Sequence, residues 1–267
     1  MIDLHNDLLT AKLAQNAYIK YLFDNKKYLE RLFCPIFTTQ LNNPIQYIVD
    51  SNNLLKQYQF AEICIEDIGF LPQDNFDFLL QIKPKYVGLV WNNSNVYGGG
   101  AYDYGGLTKA GKKLVKFLEQ NSIIVDTAHM NMRTFFDFVN ITEKPIFCSH
   151  TGFYSMVNDR RNLTNEQIKI IVQSGGIVGL FFVGKYLSKN SEFSSANIVK
   201  NIDYFVQNFG IKNLAIGTDF FGTNDLPCDI CNYLQINKIR QELLKIGYKT
   251  GEIDAIFTQN AKNINFW

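Results

Sequence analysis

The sequence predicts a single α/β domain, a (β/α)8 TIM-like barrel spanning 1–267, from three observations. Eight short apolar runs alternate with segments of helical periodicity. A hydrophobic fraction of 46% over 267 residues suffices to fill one large core. No linker, low-complexity tract or internal repeat divides the chain. A doubly wound open sheet would give similar local signals, so the closed barrel is an expectation at this point.

The apolar runs are 2–4, 32–38, 60–65, 86–90, 123–126, 145–148, 177–182 and 214–217. Between them, Leu114, Phe117 and Leu118 recur at helical spacing, as do Ile168, Ile170, Ile171 and Val172, and then Ile198, Ile202, Phe205 and Val206. Thr164 followed by Gln167 fits a capping box, and Gly175-Gly176 is placed to close that helix before the next strand. The loop 92–107, with Gly98-Gly99-Gly100 and Gly105-Gly106, reads as the most flexible insertion and is placed to line a site.

Charge names no macromolecular partner. Lys plus Arg is 26 against 25 for Asp plus Glu, a net charge of +1, which gives no field for nucleic acid or an anionic membrane. The start MIDLHNDLLT lacks the basic residues and apolar run of a signal peptide, and no stretch is long enough to span a bilayer. The expectation is a soluble, cytoplasmic protein acting on a small molecule, with a homodimer as the candidate assembly. Of five cysteines, Cys34, Cys64 and Cys148 lie in apolar runs as small hydrophobes. Cys228 and Cys231 form a C-x-x-C without the second pair of a metal ribbon or a thioredoxin-like setting, and are expected to be chemically idle.

In a barrel the chemistry gathers at the C-terminal ends of the strands, so the informative residues are those following each apolar run. His5 and Asp7 follow the first, Glu66 the third, Trp91 the fourth, His129 the fifth, His150 the sixth and Asp219 the eighth. All three histidines of the chain are in that set. His5 and Asp7, one residue apart, leave the same face if the strand continues through them. Each motif has a plain alternative. An H-x-D pair can sit at a loop mouth, and Glu66 with Asp67 can cap a following helix. His129 and His150 can be satisfied core residues, and Asp219 can cap a turn. Imidazoles and carboxylates converging from several strands suit zinc or a similar divalent ion, and five ligands can hold two ions.

HNDL at 5–8, Glu66, GLTKAGKKLV at 106–115, IIVDTAHM at 123–130, PIFCSHTGFYSMVNDRRNLT at 145–164 and AIGTDFFG at 215–222 occur in the order and context of the membrane (renal) dipeptidase family. The chain resembles a short bacterial-type member nearly end to end. The resemblance implies a metallo-dipeptidase with two zinc ions, His5 and Asp7 holding one, His129 and His150 the other, and Glu66 bridging them. A water between the ions would be the nucleophile. Asp219 would shuttle its proton to the leaving amine, and Arg161 would grip the substrate carboxylate. Arg160 is expected to be structural or exposed.

Three departures from the family pattern stand out. Trp91 occupies the substrate-binding position where mammalian members carry a histidine, which leaves oxyanion donation unassigned. The chain is shorter between Asp7 and Glu66. Phe221 replaces the second Asp of the last motif, and Asp67 stands where glycine is common. Two other readings remain open: a two-metal hydrolase of another small amide, lactam or lactone, and a non-catalytic ligand-binding relative.

Overall fold

The structure is a computed structural model that describes residues 1–10, 20–21, 24–189 and 192–263. Eight parallel strands stand side by side in chain order: β1 (Ile2–Asp3), β2 (Arg31–Phe37), β3 (Ala61–Glu66), β4 (Tyr86–Gly88), β5 (Ile124–Asp126), β6 (Phe147–Thr151), β7 (Ile177–Leu180) and β8 (Leu214–Ile216). Leu4 N–H donates to Ile216 O at 2.9 Å and Asp219 N–H to His5 O at 3.0 Å, which brings β8 back onto β1. The sheet is therefore a (β/α)8 barrel, as the alternation of apolar runs predicts, and not an open doubly wound sheet.

Two apolar layers follow from the pleat. Ile2, Leu4, Phe33, Cys64, Tyr86, Ile124, Phe147, Ile177 and Ala215, from all eight strands or the residue beside them, meet inside the barrel. Ala261, from the C-terminal helical segment beneath, completes that plug, and the Asn260 amide donates to Leu214 O at 2.7 Å. The opposite strand faces pack under the helices, where Leu114, Leu118, Ile168, Ile171, Ile198, Ile202 and Phe205 are buried, as their spacing predicts.

Local chemistry sets the helix starts. Thr108 caps the helix Lys109–Gln120, Asn131 caps Met132–Val139, and Asn43 with Pro44 at the first position opens Pro44–Leu55. The Thr164–Gln167 capping box is formed at the head of Asn165–Gln173. Gly175 ends that helix at φ +73°, and a Cβ on Gly176 would lie 1.9 Å from Ile146 O.

The loop 92–107 is held firmly, contrary to its flexible composition. Gly99 N–H donates to Thr134 Oγ1, Thr134 Oγ1 donates back to Gly99 O, and the Asn131 amide donates to Asp103 O and Gly105 O. The glycines serve close approach, since a Cβ on Gly99 would sit 2.1 Å from Gly105 O and one on Gly100 would sit 2.2 Å from Trp91 O. Cys34, Cys64 and Cys148 are buried, Cys228 and Cys231 are exposed, and all five are free thiols.

A buried carboxylate closes the ring. Asp3 accepts the Thr218 N–H at 2.8 Å, the Thr218 hydroxyl at 2.7 Å and the Tyr233 hydroxyl, joining β1 to the segment after β8. In Asp3→Asn an amide would face two hydroxyl donors, leaving buried groups unpaired. Chemical denaturation should show a loss of about 2 kcal/mol; an unchanged midpoint would show that this carboxylate does not hold the closure.

Candidate metal centre

The centre is built from strand ends. Glu66 is the last residue of β3, and His150 lies inside β6, which runs on to Thr151 beyond the apolar run that marks it in the sequence. His5 and Asp7 are not on a continued strand: β1 ends at Asp3, Asn6 bridges to Phe220, and Asp7 opens the 3-10 turn Asp7–Leu9. Asn6 fixes that turn, accepting the Leu8 N–H at 3.0 Å and donating to the Tyr233 hydroxyl at 2.8 Å. His129 and Asp219 sit just past β5 and β8 in the left-handed region, at φ +63° and +61°, a conformation that costs a non-glycine residue energy and recurs at functional sites.

These side chains meet on one carboxylate oxygen. Glu66 Oε1 lies 3.0 Å from His129 Nε2, 3.6 Å from His150 Nε2 and 3.9 Å from His5 Nε2, while His5 Nε2 lies 3.3 Å from Asp7 Oδ2. Two groups of ligand atoms lie within 4.8 Å of one another: Glu66 with His129 and His150, and His5 with Asp7 and Asp219. A third group, His5 with Asp126 and His150, is spent otherwise. Asp126 accepts N–H bonds from Ala128 at 3.0 Å and Ser149 at 2.8 Å, and its second oxygen takes the Ser149 hydroxyl.

The surrounding hydrogen bonds fix the tautomers. His5 Nδ1 faces Tyr86 Oη at 2.9 Å and Ser149 Oγ at 3.3 Å, His150 Nδ1 faces Ser149 Oγ at 2.8 Å, and His129 Nδ1 faces Asn92 Oδ1 at 3.0 Å. Tyr86 gives its own proton to Leu4 O and Ser149 gives its own to Asp126, so both oxygens are acceptors. Each Nδ1 then carries the proton and each Nε2 the inward lone pair, as in imidazoles held for a cation. His129 Nε2 and His150 Nε2 stand 3.0 Å apart, a repulsive pair unless a positive charge lies between them. Buried His5 Nε2 and Asp7 Oδ2 have no hydrogen-bond partner. Three imidazole lone pairs and three carboxylates, two of their atoms orphaned, fit divalent cations.

Electrostatics points the same way. Burial, with Asp7 and Asp219 close by, pushes the Glu66 carboxyl well above the usual range. Burial and the Asp7 carboxylate raise Asp219 to about 8, and burial raises Asp7 to about 6. Burial also lowers His129 and His150 well below the ordinary imidazole value.

The remaining expected residues line the cavity above, about 420 Å³ in volume. Trp91 forms part of its wall, 4.8 Å from the Phe37 ring and 5.9 Å from the His129 ring. Arg161 is 5% exposed and anchored by Nη2 to His150 O at 2.8 Å. Arg160 is exposed and donates to the Tyr104 hydroxyl. Asp67 turns away from the centre, accepting from Gly69 N–H and from the Asn95 amide. A second, mostly apolar cavity of about 460 Å³ shares His129 and Arg161 as a wall but contains no carboxylate of the centre.

Sequence reasoning misses Tyr86, Ser149, Asp126, Asn92 and Gly222. A Cβ on Gly222 would lie 2.3 Å from Asp219 Oδ1 and 2.4 Å from Asp7 Oδ2, so only glycine lets both carboxylates approach. The final glycine of AIGTDFFG was a signal for this close approach; Tyr86 opens an apolar run and Ser149 directly follows one, with no local mark of their part.

A model of the membrane dipeptidase family, peptidase family M19, matches residues 75–264. The chain belongs to that family. It is by that membership a metallo-dipeptidase, a hydrolase of peptide bonds. An uncharacterized protein from the pqqA 5′ region of Klebsiella pneumoniae is 29% identical over 197 residues, covering 68% of this chain and 72% of that one. One from the PQQ-III 3′ region of Acinetobacter calcoaceticus is 29% identical over 145 residues, 50% of this chain and 46% of that one. Among solved structures, a metallo peptidase from Rhodobacter sphaeroides, liganded with a phosphinate mimic of the dipeptide L-Ala-D-Ala, superposes with TM-score 0.84 at 18% identity over 100% of this chain and 99% of that one. Dipeptidase AC gives 0.85 at 18% identity over 98% and 97%. At that identity the likeness to the solved structures is one of fold.

The raised carboxyls make the metal-free protein sensitive to base. Burial keeps the three histidines neutral in the folded chain, and in the unfolded chain they are nearly all neutral only above about pH 7.5, so beyond that they add little slope. Asp219 holds in the folded state a proton that the unfolded chain has released, so stability falls as pH rises toward about 8 and levels off above it. Melting with a chelator should give a Tm that drops from about pH 7.5 to about pH 8.5, whereas metal-loaded protein should change little. A flat or rising metal-free profile would contradict this electrostatic assignment.

Proposed function

We propose that the chain hydrolyses dipeptides at a two-ion centre in which His5 and Asp7 hold one divalent cation, His129 and His150 hold the other, and Glu66 bridges them. Zinc suits the mixed imidazole and carboxylate donors. The observation that carries this reading is the convergence of three Nε2 lone pairs on Glu66 Oε1 with two buried atoms left unpartnered. When bound, such cations polarise a scissile carbonyl and make the attacking water more acidic.

The protein's own groups supply the rest. Asp219 stands beside Asp7 with a carboxyl raised to about 8, which suits it to take a proton from the attacking water and return it to the leaving amine. Arg161 presents a planar guanidinium for the substrate carboxylate, immobilised by its bond to His150 O and by its place 5.3 Å over the Phe181 ring. Trp91 with Phe37 forms an apolar wall opposite. No further carboxylate among the cavity-lining residues competes with Asp219, since Asp7 and Glu66 serve the cations.

Elemental analysis of protein purified without chelator should find about two divalent ions per chain, Glu66→Ala lowering both and His129→Ala chiefly one. A content that stays near zero after supplementation would remove the metal centre from this account.

Asp219→Asn keeps the shape of the side chain and loses its proton capacity. Turnover of dipeptides should fall about 100-fold or more while metal content stays near that of the parent. Loss of both ions, or undiminished turnover, would assign proton transfer to another group.

A further inference from the structure

The cavity above the centre carries more positive charge than a single α-carboxylate needs. All three acids in its lining, Asp7, Glu66 and Asp219, belong to the proposed cation and proton machinery. The formal charges left over are Arg161 and Lys185. These two cations terminate one column of aromatic rings. The Arg161 guanidinium lies 5.3 Å from the Phe181 centroid, Phe181 stacks on Tyr186 at 5.5 Å and 19°, and Lys185 Nζ lies 4.7 Å from the Tyr186 centroid.

The column is braced by the loop 92–107, where the Tyr186 and Tyr102 hydroxyls are 3.1 Å apart and Tyr102 donates to Asp159 at 3.0 Å. Lys185 is fixed at its backbone, where its N–H donates to Asp225 Oδ2 at 2.6 Å. Among the described residues no ion pair engages its ammonium group. Among the described residues its ammonium group is therefore unpaired, its stem laid on an aromatic ring, at a space large enough for a dipeptide.

We propose that Lys185 is a specificity-determining residue that selects dipeptides bearing an acidic side chain, Arg161 taking the α-carboxylate and Lys185 the second carboxylate. The inference rests on the dipeptidase reading and adds the substrate class. Lys185 is solvent-exposed, so the discrimination is modest, about fivefold between a carboxylate and its isosteric amide, and it weakens with salt.

The test uses metal-loaded full-length protein and the matched pairs Ala-Glu with Ala-Gln and Glu-Ala with Gln-Ala, each in both configurations of the C-terminal residue. The expected result is a kcat/KM ratio of acid to amide near five in one pair, which also identifies the residue read. The ratio should shrink toward one at about 0.5 M salt and in Lys185→Met. Lys185→Glu should invert it, so that Ala-Lys or Lys-Ala becomes the better substrate. Hydrolysis of all four with ratios near one, or an acid preference that survives Lys185→Met, overturns the role of Lys185 and leaves the dipeptidase reading standing. Failure to cleave any dipeptide overturns both.

Discussion

Three carboxylates crowded at the buried mouth of the barrel set the terms for everything around them. Asp7, Glu66 and Asp219 repel one another where little water can screen them, and three neutral imidazoles turn lone pairs toward the same space. Desolvation of such a group costs several kcal/mol per ion unless opposite charge is supplied. Protons can supply part of it, which is why the acids are pushed upward. Divalent cations supply it more completely, and the donor set suits them. A centre of this kind is unfavourable by itself and becomes favourable through what it binds.

The protein invests a second set of buried polar groups in keeping that arrangement. Two further carboxylates stay out of the centre: Asp3 ties the first strand to the segment after the eighth, and Asp126 orients Ser149 under His150. Tyr86 belongs to the apolar plug of the barrel and reaches His5 with its hydroxyl, so core packing sets a ring orientation in the site. His129 and Asp219 keep left-handed backbone conformations that cost on the order of 1–3 kcal/mol each, and the closed sheet holds them there.

Above the centre the cavity is asymmetric. One wall is aromatic and neutral, with Trp91 and Phe37; the other is the ring column ending in Arg161 and Lys185. The three carboxylates lie at the floor and the two cations along one side, so in the proposed reading a substrate is oriented by its anionic groups without competing for the candidate metal ligands.

Much of this was legible in the sequence. The period of the apolar runs located eight strands to within three residues at each end, because buried parallel strands must be continuously apolar, and the capping chemistry of Thr164 and Gln167 placed a helix start. Every expected site residue could be named, because function in this architecture collects at strand ends and the chain has few histidines to distribute. The sequence misjudged the loop 92–107, since glycine composition does not distinguish mobility from close packing. It also missed Tyr86, Ser149, Asp126 and Asn92, whose part depends on hydrogen bonds across 23 to 144 positions of chain, such as Ser149 to His5 and Asp126 to Ser149. Residue type and order determined the fold and the candidate ligands; only the tertiary structure decided which nitrogen of each imidazole faces inward, which aspartates are spent on the scaffold and where Lys185 stands. Those are questions of direction between distant segments, and a linear pattern carries no direction in space.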